Sequence, residues 1–306
     1  MNETIEKINK LKKEKNAVIL AHCYQNIEID EVADFVGDSL YLSQKAKETN
    51  ADIIVFAGVY FMAQTAKLLS PNKKVLLPRL ESGCRMADMI DLEQVKEFKS
   101  QHKNIPVVCY VNSTAEVKSE CDMCCTSSNA EKIVKYMVEK EGVDEILFLP
   151  DTYLGKWVEK KLGNVKVTTY PGFCPTHLQI KPKDMIEARE KYPDAKILAH
   201  PECHQEVVSL ADYVGSTSGI MNFAAKSDNK TFIIATEKGV VDRLKRDYPQ
   251  KEFILIKESL ICPNMKWHTL EDIYNALDKE QYEINVDKDI AKKAVNCIDK
   301  MLLVSK

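Results

Sequence analysis

Three cysteines recur at a nearly constant spacing along this 306-residue chain. Cys84, Cys174 and Cys262 lie 90 and 88 residues apart, and each closes a strand-like apolar run. Thiolates bind zinc and iron–sulfur clusters, so three of them at equivalent positions can surround one metal centre. A structural zinc site requires a fourth protein ligand. A [4Fe–4S] cluster held by three cysteines instead leaves one iron open to substrate, which suits Lewis-acid chemistry and is the interpretation we favour.

Other polar residues follow the same period. Three further apolar runs, one in each repeat, each end at a histidine or a tyrosine. An aspartate follows twelve residues later, and a hydroxyl residue follows five residues after the aspartate. In chain order these sets are His22, Tyr110 and His200; Asp34, Asp122 and Asp212; and Ser39, Ser127 and Thr217. Self-similarity at a fixed period indicates a repeated supersecondary unit. The sequence therefore predicts three equivalent units that carry polar groups at matching positions.

The hydroxyl residues are expected to open helices. Ser39, Ser127 and Thr217 each precede a helical pattern, and helix N-termini present unpaired N–H groups and a partial positive charge. Serine and threonine are also common N-caps, which is the simpler explanation for any one of them. Because three occur at equivalent positions, we favour binding of a substrate with several anionic groups.

Each repeat alternates short apolar runs with helical periodicity. The predicted order of elements is strand, loop, helix, strand, helix, strand, which is typical of parallel sheets with crossover helices. Ligands collect beyond the carboxyl ends of such strands. The predicted fold is therefore α/β, with three pseudo-three-fold-related αβα domains whose short parallel sheets surround a central cavity. The expected domains are 1–84, with 263–306 packing back on it, 85–173, and 174–262.

The composition is that of an ordinary globular protein. With 45% hydrophobic residues and a net charge of −3, the chain gives no reason to expect nucleic acid as a partner. Its charged N-terminal segment lacks the apolar core of a signal peptide, and no apolar run approaches membrane-spanning length. We expect a cytoplasmic protein without membrane contact, in which the ten cysteines are free thiols or metal ligands.

The remaining cysteines are expected to be packing residues. Cys23, Cys109, Cys203 and Cys297 show no metal-ligand spacing. The segment 121–125 has CxxC spacing, but no second CxxC accompanies it and it is expected to open a helix. HPECH at 200–204 is expected to be a loop that displays His200 and Glu202 as acid–base groups, with the Glu202 pKa tuned toward neutrality by burial.

Longer stretches of sequence carry a resemblance to a known family. The stretches are AHCYQ at 21–25, VGDS at 36–39, GVYFMAQTAK at 58–67, SGCRMADM at 82–89, YVNSTAEVK at 110–118, PGFCPTH at 171–177, HPEC at 200–203, GSTSGI at 215–220 and CPNMK at 262–266. Together they span nearly the whole chain, and the chain resembles the quinolinate synthases of bacterial NAD biosynthesis. The resemblance implies three pseudo-symmetric α/β domains around a [4Fe–4S] cluster. It also implies condensation of iminoaspartate with dihydroxyacetone phosphate, releasing phosphate and two waters, with an aspartate oxidase or dehydrogenase as a possible supplier of iminoaspartate.

Roles for individual residues follow from the same resemblance. The implied cluster ligands are Cys84, Cys174 and Cys262. The implied catalytic set is Tyr24, Tyr110, Asn112, His177 and Glu202. The implied substrate-binding set is His22, Ser39, Tyr110, Asn112, Ser127, His200, Glu202, Ser216 and Thr217. Arg79, Gln64 and Cys23 depart from the family pattern, and none of them replaces a ligand.

Two other classes of function remain open from the sequence. A non-enzymatic iron–sulfur sensor or carrier would explain the cysteines but not the repeated hydroxyls or Glu202. A zinc-dependent or metal-free lyase of the aldolase type could use the same scaffold.

Overall fold

The molecule is built from three four-stranded sheets. The structure, a computed structural model, describes residues 2–305. The strands are β1 (Ala17–His22), β2 (Phe35–Gly37), β3 (Ile53–Ala57), β4 (Lys74–Leu76), β5 (Val107–Tyr110), β6 (Met123–Cys125), β7 (Glu145–Leu149), β8 (Lys166–Thr169), β9 (Lys196–Ala199), β10 (Tyr213–Val214), β11 (Thr231–Ala235) and β12 (Glu252–Leu255). The sheets share one strand order: β2-β1-β3-β4, β6-β5-β7-β8 and β10-β9-β11-β12. All strand pairs within these sheets are parallel, which confirms the predicted α/β class with three short parallel sheets.

Helices connect the strands and cover the sheets. They are α1 (Asn2–Glu14), α2 (Ser39–Glu48), α3 (Tyr60–Leu69), α4 (Leu92–Gln101), α5 (Ala115–Ser119), α6 (Ala130–Glu141), α7 (Thr152–Leu162), α8 (Pro182–Lys191), α9 (Gln205–Ser209), α10 (Thr217–Lys226), α11 (Lys238–Asp247), α12 (Leu270–Lys279) and α13 (Lys288–Val304). Because helices lie on both faces, the central strands are nearly continuous apolar runs, and every residue of β3 and β5 is buried. Within residues 2–305, no helix is both long enough and apolar enough to cross a membrane.

The second strand of each sheet was not predicted. β2, β6 and β10 contain only two or three residues, too few to show a period, and they form because a neighbouring strand offers hydrogen bonds. The expectation that segment 121–125 opens a helix is wrong, because a neighbouring strand offers hydrogen bonds to this segment as well. Met123–Cys125 pairs with β5 as an edge strand, and α6 begins only at Ala130.

The repeated aspartates hold each first strand to the loop that follows it. In every unit the carboxylate accepts a hydrogen bond of 2.8 Å from a backbone N–H of the first strand. The pairs are Asp34 with Ile19, Asp122 with Val107, and Asp212 with Ile197. The same aspartates donate their own N–H to the carbonyl oxygen of that strand residue, at 2.8–3.1 Å. Aspartate recurs here because its carboxylate supplies a charged acceptor for a first-strand N–H group that lies just before the stretch paired with the short second strand.

The C-terminal helices pack on two different units. α12 lies on α1 and β3 of the first unit. α13 lies between the first and second units, where it contacts α3 on one side and α5 and β6 on the other. An ion pair joins Lys47 to Asp299 at 2.6 Å, and Asn129 Nδ2 donates to Ser305 Oγ at 2.7 Å. The last helix therefore seals the seam between two units.

Replacing Asp212 by alanine is expected to destabilise the protein in a pH-dependent way. Burial raises the pKa of Asp212, but the Ile197 N–H and the Arg189 guanidinium outweigh burial and lower that pKa. A carboxyl whose pKa is lower in the folded state contributes its stability above its unfolded pKa of about 3.9 and loses it at lower pH. Because the group is partly screened by solvent, we expect Asp212→Ala to cost about 1 kcal/mol at pH 7, measured by urea unfolding.

The difference from wild type should shrink as the pH falls below about 4. Asp194→Ala, at an exposed loop position before β9, is the matched control and should leave the urea midpoint unchanged. An Asp212→Ala midpoint equal to that of wild type at pH 7 would show that the repeated carboxylate contributes nothing.

Candidate active site

The carboxyl ends of the strands face one cavity of about 290 Å³. Nearly every residue that the sequence singled out lines it: His22, Tyr24, Ser39, Cys84, Tyr110, Asn112, Ser127, Cys174, His177, His200, Glu202, Thr217 and Cys262. Ser216 is the exception. Its hydroxyl caps α10 by accepting the Gly219 N–H at 3.1 Å, so it serves the helix and does not line the cavity. The central cavity thus gathers side chains from all three units.

The three cysteines are positioned by short 3-10 turns. Each lies beyond the last strand of its sheet and not at the strand end, and a 3-10 helix follows it: Ala87–Met89, His177–Gln179 and Pro263–Lys266. The cysteine carbonyl oxygens accept the first hydrogen bonds of these turns, from Asp88, Leu178 and Met265, at 3.0–3.2 Å. One local geometry thus presents a sulfur from each unit to the same space.

The donor set of these cysteines fits an iron–sulfur cluster. Burial raises the pKa of Cys84 to about 12 and that of Cys262 to about 11, while backbone N–H groups of the following turns act in the opposite direction. Burial also raises the pKa of Cys174 well above its usual value. Buried thiols of this kind ionise when a metal centre compensates their charge, and N–H groups directed at sulfur are typical around clusters.

A second group of potential ligands lies beside Cys174. Ligand atoms of Cys174, His177 and Glu202 lie within 4.8 Å of one another, the one such trio found among residues 2–305. Sulfurs around a single tetrahedral zinc are about 3.8 Å apart, because each bond is about 2.3 Å long. The sulfurs of Cys84, Cys174 and Cys262 do not all lie within 4.8 Å of one another, a wider spacing that a larger cluster accommodates.

Glu202 lies at the centre of a hydrogen-bond network. Its carboxylate accepts a hydrogen bond from the Tyr110 hydroxyl at 2.5 Å and lies 2.7 Å from His177 Nδ1. Burial raises the Glu202 pKa, but the two neighbouring histidines and these hydrogen bonds outweigh it and lower the pKa to about 2. The expected tuning toward neutrality is wrong, because the network stabilises the carboxylate more than burial destabilises it.

His22 and His200 occupy equivalent positions and have the same protonation pattern. In each, Nδ1 accepts the backbone N–H two residues further on, from Tyr24 at 3.1 Å and from Glu202 at 3.4 Å. Burial lowers the pKa to about 4 for His22 and about 3 for His200. Both rings are therefore neutral at pH 7 and carry their proton on Nε2, so each offers a hydrogen-bond donor without a positive charge.

Tyr24 joins the first and third units. Its hydroxyl lies 3.0 Å from Thr217 Oγ1 and 3.1 Å from Thr236 Oγ1, and His177 Nε2 lies 2.9 Å from the same Thr236 oxygen. Sequence reasoning did not select Thr236, although a polar residue directly after β11 was a usable signal. It also passed over Arg85, which follows Cys84 and brings a positive charge to the cavity lining.

The hydroxyl residues have different local structures. Ser39 and Thr217 are the first residues of α2 and α10, as expected. Ser127 does not open a helix, because the chain first makes a turn over 127–129 in which the Asn129 N–H and then the Ala130 N–H bond to the Thr126 carbonyl oxygen. Two helix N-termini and one turn thus face the cavity.

Asp38 connects the three units beside the cavity. Its Oδ1 caps α2 by accepting the Tyr41 N–H at 3.0 Å. Its Oδ2 accepts hydrogen bonds from Ser128 of the second unit, at 2.8 Å, and from Ser218 of the third. The residue is 9% exposed, and sequence reasoning missed it although it lies in the VGDS stretch.

Comparison with known proteins gives a consistent result. A family profile described as quinolinate synthetase A protein matches residues 6–303. A quinolinate synthase of Alkaliphilus metalliredigens is 51% identical over 304 residues, covering 99% of each chain. Quinolinate synthases of Thermodesulfovibrio yellowstonii, covering 99% of this chain and 98% of its own, and of Caldicellulosiruptor saccharolyticus, covering 97% of each, are both 49% identical.

Removing the Asp38 carboxylate is expected to weaken the association of the three units. Asp38→Ala deletes hydrogen bonds to Tyr41, Ser128 and Ser218, and we expect a loss of about 2–4 kcal/mol in urea unfolding. Asp38→Asn keeps the shape and one acceptor, so it should lose about half as much. An Asp38→Ala protein with the unfolding free energy of wild type would exclude this role.

Proposed function

Since the chain belongs to the quinolinate synthase family, an enzyme family of NAD biosynthesis, we propose that it condenses iminoaspartate with dihydroxyacetone phosphate. The products are quinolinate, phosphate and two waters, and an aspartate oxidase or dehydrogenase supplies the iminoaspartate. The observation that carries the proposal is the single cavity in which three cysteines from three units meet an acid–base network.

The cavity suits substrates with two carboxylates and one phosphate. His22 and His200 offer neutral Nε2–H donors, and Ser39, Ser127 and Thr217 add hydroxyls from the edges of the three units. Arg85 contributes a full positive charge. Donors that need no proton uptake bind oxyanions over a wide pH range, so substrate binding should not depend on histidine protonation.

Cys84, Cys174 and Cys262 are the proposed ligands of a [4Fe–4S] cluster. When bound, the cluster supplies a Lewis-acidic iron that polarises substrate oxygen atoms. The protein contributes three sulfurs fixed by equivalent 3-10 turns. It also provides a cavity lined by both those sulfurs and the polar donors, so groups already in place orient the substrate.

Glu202, His177 and Tyr110 are the proposed proton-transfer groups. Ring formation requires removal of carbon-bound protons and protonation of departing hydroxyls. With its pKa lowered to about 2, Glu202 remains ionised, orients His177 and accepts a hydrogen bond from the Tyr110 hydroxyl, whose own pKa is raised well above its usual value. Tyr24 and Asn112 complete the catalytic set, with Tyr24 held by Thr217 and Thr236. The Glu202 carboxylate therefore acts through His177 and Tyr110 as well as directly.

One observation favours a second candidate function. Cys174, His177 and Glu202 are close enough to hold a single ion such as zinc, as a metal-dependent lyase would require. In this arrangement, however, Cys84 and Cys262 would have no role in metal binding. Metal content separates the two functions, since one predicts about four irons per chain and the other predicts one zinc.

Replacing any one of the three repeat cysteines should abolish both the cluster and the activity. Cys84→Ala, Cys174→Ala and Cys262→Ala each remove one ligand, and two thiolates do not retain a cluster that three hold. The measurements are iron content, visible absorbance and anaerobic formation of quinolinate from the two substrates. Cys124→Ala, in strand β6, is the control and should keep its iron. Loss of iron in Cys124→Ala, or retention in the other three, would overturn the ligand assignment.

Glu202→Gln should bind substrate and retain the cluster but lose turnover by about 10²–10⁴-fold. Glutamine keeps the size of the side chain but removes the charge that orients His177 and accepts from Tyr110. The readouts are the iron content, kcat and KM. An essentially unchanged kcat would place the proton acceptor elsewhere, and His177→Gln would be the next variant.

A further inference from the structure

The loop that carries each cavity cysteine is held by the start of a helix from the same unit. In every unit, the helix between the last two strands donates the N–H of its first residue to the carbonyl oxygen two residues before the cysteine, at 2.7–2.9 Å. Such N–H groups have no partner within their own helix. The residue that precedes each helix therefore lies next to a cysteine loop. The three bonds run from Tyr60 to Ser82, from Thr152 to Gly172 and from Lys238 to Leu260.

The residues that precede these helices differ between the units. They are Val59, Asp151 and Glu237, the N-caps of α3, α7 and α11. Val59 has no polar side-chain group, and the Asp151 carboxylate caps its own helix. Glu237 caps α11 and also reaches the cysteine. Its Oε2 accepts the Gly239 N–H at 2.6 Å, and its Oε1 accepts the Cys262 N–H at 3.2 Å. In the third unit, a carboxylate thus holds the backbone of the cysteine itself.

A lysine completes the surroundings of this carboxylate. Glu237 is 0% exposed, and Lys266 Nζ lies 3.4 Å from its Oε1. Burial raises the pKa of Glu237, whereas Lys266 and the two N–H groups favour its ionised form. All three partners are hydrogen-bond donors, which a carboxylate can satisfy as an acceptor with both oxygens. One negative and one positive charge therefore lie beside the backbone of Cys262.

The turn after Cys262 is also tied to the first unit. Asn264 Nδ2 donates to the carbonyl oxygen of Gly83, at 2.8 Å, and Gly83 directly precedes Cys84. Lys266 Nζ donates to the Gln25 carbonyl oxygen at 3.3 Å. Glu237 holds this turn from its own unit, and the first unit holds it from the other side. The position of Cys262 relative to Cys84 therefore depends on these contacts.

We propose that Glu237, paired with Lys266, is a positioning residue for Cys262 and sets the charge next to the [4Fe–4S] cluster of the proposed function, on which this role rests. Partners of metal ligands fix the orientation of the ligand, and their loss weakens metal binding by about 10–100-fold. The reduction potential of a cluster also depends on nearby charge and hydrogen bonding. Glu237 does not line the cavity, so it acts through Cys262 and not on the substrate.

Two variants of opposite charge test the electrostatic part of this role. Glu237→Gln removes the negative charge, and Lys266→Met removes the positive charge but keeps the length of the side chain. A nearby negative charge disfavours an added electron, so the midpoint potential of the holoprotein cluster should rise in Glu237→Gln and fall in Lys266→Met. The double variant loses both charges, and its potential should return toward that of wild type. Unchanged potentials, or shifts in the same direction, would overturn the assignment.

The rate of iron loss tests the positioning part. When the holoprotein is incubated anaerobically with an iron chelator, Glu237→Gln should lose its iron about tenfold faster than wild type. Glu258→Gln removes an exposed carboxylate four residues before Cys262 and is the matched control, so it should keep the wild-type rate and potential. A Glu237→Gln protein that retains its iron as long as wild type would contradict the role. If Glu237→Gln does not fold, an unchanged potential in Lys266→Met would contradict it equally.

A measurement on the full-length apoprotein distinguishes failure of this role from failure of the proposed function. Loss of the Glu237 charge should free Lys266, so trypsin should cleave native Glu237→Gln after Lys266 about tenfold faster than wild type. Cleavage after Lys103, in an exposed turn, is the internal reference. Wild-type protein that takes up no iron would refute the proposed cluster, whereas equal cleavage after Lys266 in the two proteins would refute the positioning by Glu237.

Discussion

One carboxylate holds the edges of three units together next to the cavity. Asp38 caps a helix of the first unit and accepts hydroxyl hydrogen bonds from Ser128 and Ser218. Tyr24 joins the first unit to the third and Tyr110 joins the second unit to the third, whereas Asp38 contacts all three units at one point. The helix ends, the histidines and the cysteines all depend on the spacing of the units, because each unit supplies only part of every set. The site is therefore a property of the assembled molecule and not of any single repeat.

Burial divides the titratable groups of the cavity into charged and neutral classes. His22 and His200 lose the proton that solvent would stabilise, since no hydrogen bond favours their charged form enough. Glu202 is equally buried but keeps its charge, because His177 and Tyr110 both donate to it. The cavity thus combines the ionised Glu202 with the neutral donors of His22 and His200 and the positive charge of Arg85.

The sequence predicted the three-unit architecture well, because units that repeat about every 90 residues place equivalent residues at a nearly constant spacing along the chain. It also predicted the cavity lining, because the carboxyl ends of parallel strands meet at one edge. It could not predict β10, whose two residues carry no period, or the turn that separates Ser127 from α6. The Glu202 pKa and the Asp38 junction depend on partners far away in sequence.

The position of α13 sets the order in which the molecule can be completed during synthesis. This helix follows all three sheets in chain order, so the ribosome makes it after the two units whose seam it seals. Until then the first two sheets can form, but the surface of α3 and β6 that α13 covers stays exposed to solvent. The three cavity cysteines likewise come from parts of the chain that are 90 and 88 residues apart. A nascent chain can therefore fold in parts, whereas a metal centre that needs all three cysteines cannot be completed before Cys262 has been synthesised.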